Sequence, residues 1–208
     1  MSQADAIEVL VEALGISEAH IFAHDVGDTV VQELLARKLE NKSKITWLSS
    51  VFMNGGMFPE ANTPRPIQKL LASFLGPLLG RFLSAKTFDK TMHDIFSKAN
   101  PPSKEFLDSS WNLLENNEGR IMIPLILSYL NERKTYLKRW RAPIENPQIP
   151  MAMINGIEDP ISGNKTALFF QKLQPKSYTF FLENSGHYPH IETPKEVLKA
   201  FFKFHKSL

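Results

Sequence analysis

The stretch FAHDVGD, residues Phe22 to Asp28, constrains the fold more than any other, because an apolar run, an aspartate and an amphipathic run follow one another there. His20 to Ala23 reads as a short buried parallel strand, and Val30, Val31, Leu34 and Leu35 recur after it at helical spacing. A strand that turns into a helix within one residue tolerates only small residues two positions to either side. Ala23 and Gly27 flank Asp25 in that way. A strand followed by a loop carboxylate is also ordinary turn chemistry, so the rest of the chain must decide.

Ile45 to Met53, Met151 to Asn155 and Ser177 to Leu182 read as further strands, each closed by a turn-rich segment: NGGMFPE, NGIEDP and ENSGHYPHIE. Ile7, Leu10, Val11 and Leu14 predict a first helix, with Ser2 as cap and Gly15 as stop. Thr193, Pro194 and Glu196 supply cap, first-turn proline and capping-box glutamate for a last one. Strands alternating with helices predict an α/β fold with a mostly parallel sheet. Between Glu60 and Ala142 the strand signal vanishes, and helices broken by TPRP, GPLLG and ANPPS run into the basic NERKTYLKRWRAP. The expected organisation is a core begun by residues 1–59 with the elbow, a helical lid over 60–142, and a core completed by 143–208. An independent helical domain is the alternative, and the return to strands after it argues against that.

Composition narrows the function. With 24 basic against 22 acidic residues, and the lysines scattered, nothing provides the clustered basic excess that nucleic acid requires. The absence of cysteine removes disulfides, thiolate metal sites and a thiol nucleophile, and suits a reducing, cytoplasmic setting. No apolar run approaches the roughly 20 residues that span a bilayer. In a parallel sheet the loops after the strands emerge at one edge. Asp25, Asp159 in GIEDP and His187 in SGHYP each follow a strand, in the order nucleophile, acid, histidine.

On these residues the chain resembles the α/β-hydrolase superfamily, in particular its branch of epoxide hydrolases and haloalkane dehalogenases with an aspartate nucleophile. AHDVGDTVVQELLAR, NGGMFPE, NNEGR, YLNERKTYLKRW and GHYPHIE are similar to the narrower mesoderm-specific transcript group, and the likeness runs from about Ala19 to the end. The resemblance implies Asp25 as nucleophile, Asp159 as triad acid and His187 as base, without a cofactor or metal. It also implies membrane association through amino-terminal sequence, which makes the endoplasmic reticulum the alternative compartment.

A carboxylate displaces a leaving group from saturated carbon and becomes an ester, which a histidine-activated water then cleaves. A small apolar organic substrate, an epoxide or an alkyl halide, fits that chemistry. The backbone N–H of Val26 is the expected oxyanion donor. Dehalogenases of this branch usually carry tryptophan after the nucleophile, as do its epoxide hydrolases; this chain has Val26 there, so that position favours neither substrate. Epoxide opening needs an acid, for which Tyr129 and Tyr136 are the lid candidates; seven residues apart, they also fit a packing stripe.

Four other features are expected to be structural. His190 and Glu192 belong to a surface loop rather than a metal site. His24, beside Asp25, faces into the fold or shapes the pocket floor. The run Arg133 to Arg141 forms a solvated face around Tyr136, Leu137 and Trp140. One helix and one strand before the elbow are fewer than the superfamily has, so the chain reads as a hydrolase without its amino-terminal strands and second oxyanion donor. The edge at His20 to Ala23 is then expected to be bare. Binding without turnover is the alternative function.

Overall fold

The computed structural model describes residues 1–63, 65–73 and 76–208, so that Pro64 of the TPRP break lies outside the described residues. Helix α1 (Ser2–Ala13) leads into β1 (Glu18–Phe22), α2 (Val26–Leu39) and β2 (Thr46–Phe52). A helical interval follows: α3 (Pro66–Leu71), α4 (Gly76–Gly80), α5 (Ala85–Ile95), α6 (Lys104–Glu115), a 3₁₀ turn (Asn116–Glu118), α7 (Gly119–Leu127), α8 (Tyr129–Thr135) and α9 (Leu137–Glu145). Strand β3 (Met151–Gly156), α10 (Asn164–Leu173), β4 (Tyr178–Leu182), α11 (Pro189–Glu192) and α12 (Pro194–His205) complete it.

The four strands pair in parallel in the order β1-β2-β3-β4, with Phe22 beside Val51, Phe52 beside Met153 and Gly156 beside Leu182. Every strand therefore ends at the same edge. Strand β3 shows why the sheet is layered: Met151 and Met153 pack with Val31, Leu34, Leu35 and Phe170 of α2 and α10, while Ala152 and Ile154 pack with Val197, Ala200 and Phe204 of α12. Alternate side chains point to opposite faces, and both faces are covered. Burying one phenylalanine such as Phe170, fully shielded, is worth roughly 2–3 kcal/mol.

Local signals were redirected by tertiary contacts. Strand β1 is not buried as its apolarity predicts: it lies at the sheet edge, alternate residues are exposed, and Phe22 stacks on Phe201 of α12. Helix α1 buries Ala4 and Glu8 and leaves Ile7, Leu10 and Leu14 exposed, because Glu8 docks on Arg37 Nη1 at 2.7 Å. Ser2 lies within this helix, whose N-cap is Met1, and Gly15 ends it at φ 67°. The Thr193 hydroxyl caps nothing; it reaches Ser185 Oγ and the Pro189 carbonyl instead.

Of the basic run, Lys134 and Lys138 alone are solvated; its arginines are drawn into the fold. Glu33 of α2, 2% exposed, accepts from Arg37 Nε, from Arg139 Nε and Nη2 and from Trp140 Nε1. Arg139 also pairs with Glu40, Arg141 pairs with Glu60, and Arg133 is buried. One carboxylate thus joins α1, through Arg37, to α2 and α9. No helix among the described residues is long and apolar enough to cross a membrane.

Candidate active site

Asp25 stands between β1 and α2 with φ 51° and ψ −114°, a left-handed conformation that costs a non-glycine residue about 1–3 kcal/mol. Its amide donates to the Met53 carbonyl, which anchors the turn to the end of β2. A Cβ at Gly27 would stand 3.5 Å from that of Ala23, an ordinary contact. The site demands small residues rather than glycine itself. Val26 is the first residue of α2, so its amide has no intrahelical acceptor and lies at the positive end of the helix dipole.

The loops after β3 and β4 bring Asp159 and His187 to the same edge. His187 Nδ1 is 2.8 Å from Asp159 Oδ2, and His187 Nε2 is 3.8 Å from Asp25 Oδ2. The second separation is longer than a hydrogen bond and leaves the imidazole between the two carboxylates. Burial works against the His187 cation, but the charges of Asp159 and Asp25 outweigh it and raise its pKa well above the usual imidazole range. Burial likewise opposes ionisation of the two aspartates, and the imidazole beside each holds its carboxyl below the ordinary range.

Further hydrogen bonds fix these groups. Asp159 Oδ2 also accepts from Asn54 Nδ2 and Ser162 Oγ, and Oδ1 from the Ile161 amide. Asn54, fully buried and at φ 48°, additionally bonds Asn155 and the backbone of Gly156 on β3. Its loop is held by Asp28 of α2, whose carboxylate accepts the amides of Met53 and Gly55. Gly55 permits this, since a Cβ there would stand 2.3 Å from Asp28 Oδ2.

Glu192 is not part of a surface loop. It is buried and accepts three amides, from Ser97, Gly186 and Tyr188, so it shapes the turn that carries His187. The His187 amide donates to the Ile95 carbonyl, tying that turn to the end of α5. His24 Nε2 donates to the His187 carbonyl at 2.7 Å, and burial followed by the neighbouring His187 charge lowers its pKa to about 4. His190 packs edge-on against His24.

Asp25, Val26 and His187 line a pocket of about 320 Å³, together with Tyr129, Tyr188 and apolar residues of the helical interval, among them Phe88, Met92 and Ile126. The two tyrosines considered as acids separate here. Tyr129 lines the pocket, and no described residue bonds its hydroxyl, whereas Tyr136 packs on the Trp140 ring at 5.3 Å. Asp28, Asn54, Tyr188 and Glu192 escaped the sequence reading of the site. The paired glycines of NGGMFPE were the available signal, because adjacent glycines mark close approach as well as a turn.

Fold and site together define a class: the chain belongs to the alpha/beta hydrolase fold family, whose sequence pattern matches residues 1–194. Within it, the chain is 35% identical over 209 residues to the Mesoderm-specific transcript homolog protein of Bos taurus, a match covering 97% of this chain and 62% of that protein. A Mycobacterium tuberculosis protein that carries the name of a hydrolase, LipZ, is 33% identical over 200 residues, 96% of this chain and 69% of its own. An alpha/beta hydrolase fold protein from Burkholderia ambifaria superposes with a TM-score of 0.78 at 16% identity, over 97% of this chain and 71% of that one. The haloalkane dehalogenase DbeA from Bradyrhizobium elkani gives 0.77, also at 16%, over 100% and 75%. These two share the fold. The chain spans 62% of the length of its bovine relative.

Proposed function

We propose that the chain carries the reacting centre of a hydrolase that opens epoxides through an alkyl ester on Asp25, with residues 60–142 as a lid. The observation that carries this reading is the Asp25 carboxylate on its strained turn, facing His187 Nε2 while Asp159 holds Nδ1. Asp25 attacks an epoxide carbon, the C–O bond breaks, and the ring oxygen takes the Tyr129 proton. His187 then removes a proton from water, whose oxygen attacks the ester carbonyl. The Val26 amide holds the resulting oxyanion; its collapse expels the second diol oxygen, which takes the proton left on the carboxyl, and the proton on His187 returns through water to the Tyr129 oxygen, restoring both groups and the Asp25 carboxylate. Esterification itself prepares the second step. It neutralises one of the two carboxylates that raise the His187 pKa, which favours the neutral imidazole needed as base.

Apolar lining residues support a small apolar organic substrate, and Tyr129 supports an epoxide over a halide. Val26 offers no side-chain donor to a halide. In His187→Gln the first step should proceed and the second stall, so that incubation with styrene oxide adds its mass at Asp25, read by peptide mass spectrometry. Asp25→Asn should show no adduct. Adduct from alkyl halides alone would favour dehalogenation. Absence of adduct and of wild-type turnover across epoxides and alkyl halides would refute the nucleophile and leave binding without turnover.

A further inference from the structure

Arg133 is 3% exposed, yet its guanidinium makes no hydrogen bond or ion pair with any described residue, and Nη1 is fully shielded. Arginine carries five donors and a permanent charge, so a buried one is ordinarily paired. The surrounding arginines follow that rule: Arg65 reaches Asp94, Arg139 reaches Glu33 and Glu40, and Arg141 reaches Glu60. Arg133 is instead fixed by shape. Its guanidinium lies 4.4 Å over the Tyr129 ring, and Nη1 rests against Gly56, where a Cβ would stand 2.1 Å away.

Arg133 lines a cavity of about 640 Å³ together with Asn62, Asn131, Lys134, Leu130 and Pro59. No carboxylate lines that cavity among the described residues, and Lys134 has no ion-pair partner among them. Arg133 lines this cavity, and Tyr129, beneath the guanidinium, lines the Asp25 pocket.

We propose that this cavity is an anion subsite in which Arg133 receives the carboxylate of a small organic acid. The Nε–Nη2 edge of the guanidinium, which leaves out the shielded Nη1, matches a carboxylate with two parallel N–H···O bonds, Lys134 adds charge, and Asn62 and Asn131 line the same space. A phosphate monoester shares the oxyanion chemistry but not the planar match. The subsite does not depend on Asp25 acting as nucleophile.

Calorimetric titration with hexanoate, hexyl phosphate and hexan-1-ol tests the proposal, with thermal denaturation alongside. Wild-type protein should bind hexanoate, more weakly as salt rises, and hexanoate should raise its Tm. Arg133→Met should weaken hexanoate binding by about tenfold or more while leaving hexan-1-ol unchanged. Without ligand this variant should melt above wild type, because an apolar stem replaces a buried unpaired charge, and hexanoate should no longer raise its Tm. Gly56→Ala, which evicts the guanidinium and keeps the charge, should lose the same response. Failure of wild type to bind hexanoate, equal stabilisation of wild type and Arg133→Met, or tighter binding of hexyl phosphate would each overturn the assignment.

Discussion

Asp28 offers a quantitative test of how the site is held. It is 0% exposed, its Oδ2 accepts the Met53 and Gly55 amides at 3.0 and 2.9 Å, and those residues flank Asn54. Burial raises its pKa well above the carboxylate range despite the Met53 amide, and the Asp25 charge adds to the rise. In the protonated form the carbonyl oxygen still accepts both amides, and asparagine reproduces that acceptor. Asp28→Ala leaves two buried N–H groups unpaired at about 1–3 kcal/mol each, so a loss of about 3 kcal/mol is expected. With a urea slope of about 2–3 kcal/mol per M, the midpoint should fall by about 1–1.5 M. Asp28→Asn should stay within about 1 kcal/mol of wild type. The pH dependence has a definite sign: a raised folded pKa means folding takes up a proton above the ordinary carboxylate range. Wild type should therefore lose stability relative to Asp28→Asn as pH rises from about 4 through the raised value. The assay is urea denaturation by circular dichroism across that range. Asparagine as damaging as alanine, or alanine indistinguishable from wild type, would refute the reasoning.

Two further outcomes follow from buried charges. His24, at about 4 in the folded state and 6.5 unfolded, should withdraw about 2 kcal/mol of stability as pH falls from 7 to 4.5, since the unfolded chain takes its proton first. The urea midpoint of His24→Gln, which keeps a donor for the His187 carbonyl, should fall less over that window; an identical slope would exclude His24 as the source. Glu33→Gln should cost roughly 3 kcal/mol by leaving Arg37 and Arg139 without their buried carboxylate, and a midpoint unchanged in urea would show that the hub contributes nothing.

That positions 25, 159 and 187 share one sheet edge was legible, because each follows a strand and parallel strands all end on the same side. The contacts that fix them were not. Asn54 reaches Asp159 across 105 positions, Ser97 reaches Glu192 across 95, and Glu33 reaches Arg139 across 106, distances over which no local spacing carries information. Glu192 illustrates the cost: beside His190 in a turn it reads as a solvent-facing acid, whereas the fold turns it inward onto the amides of Gly186 and Tyr188 and adds that of the distant Ser97. Arg133 misled in the opposite direction, since a basic run on a helix looks solvated until the loop at Gly56 is folded over it.

The long helical interval between β2 and β3 has a consequence for how the chain reaches this state. Strands β1 and β2 are joined through about 20 residues, as are β3 and β4, whereas β2 and β3 meet only after about 100. Closing the longer connection costs only about 1 kcal/mol more in chain entropy, because the penalty grows with the logarithm of length. A sheet therefore accommodates the interval at little thermodynamic expense, but the delay falls on kinetics. Two strand-helix-strand halves can form from near neighbours, and their joining along Ser50 to Met151 is the high-contact-order event expected to limit the folding rate.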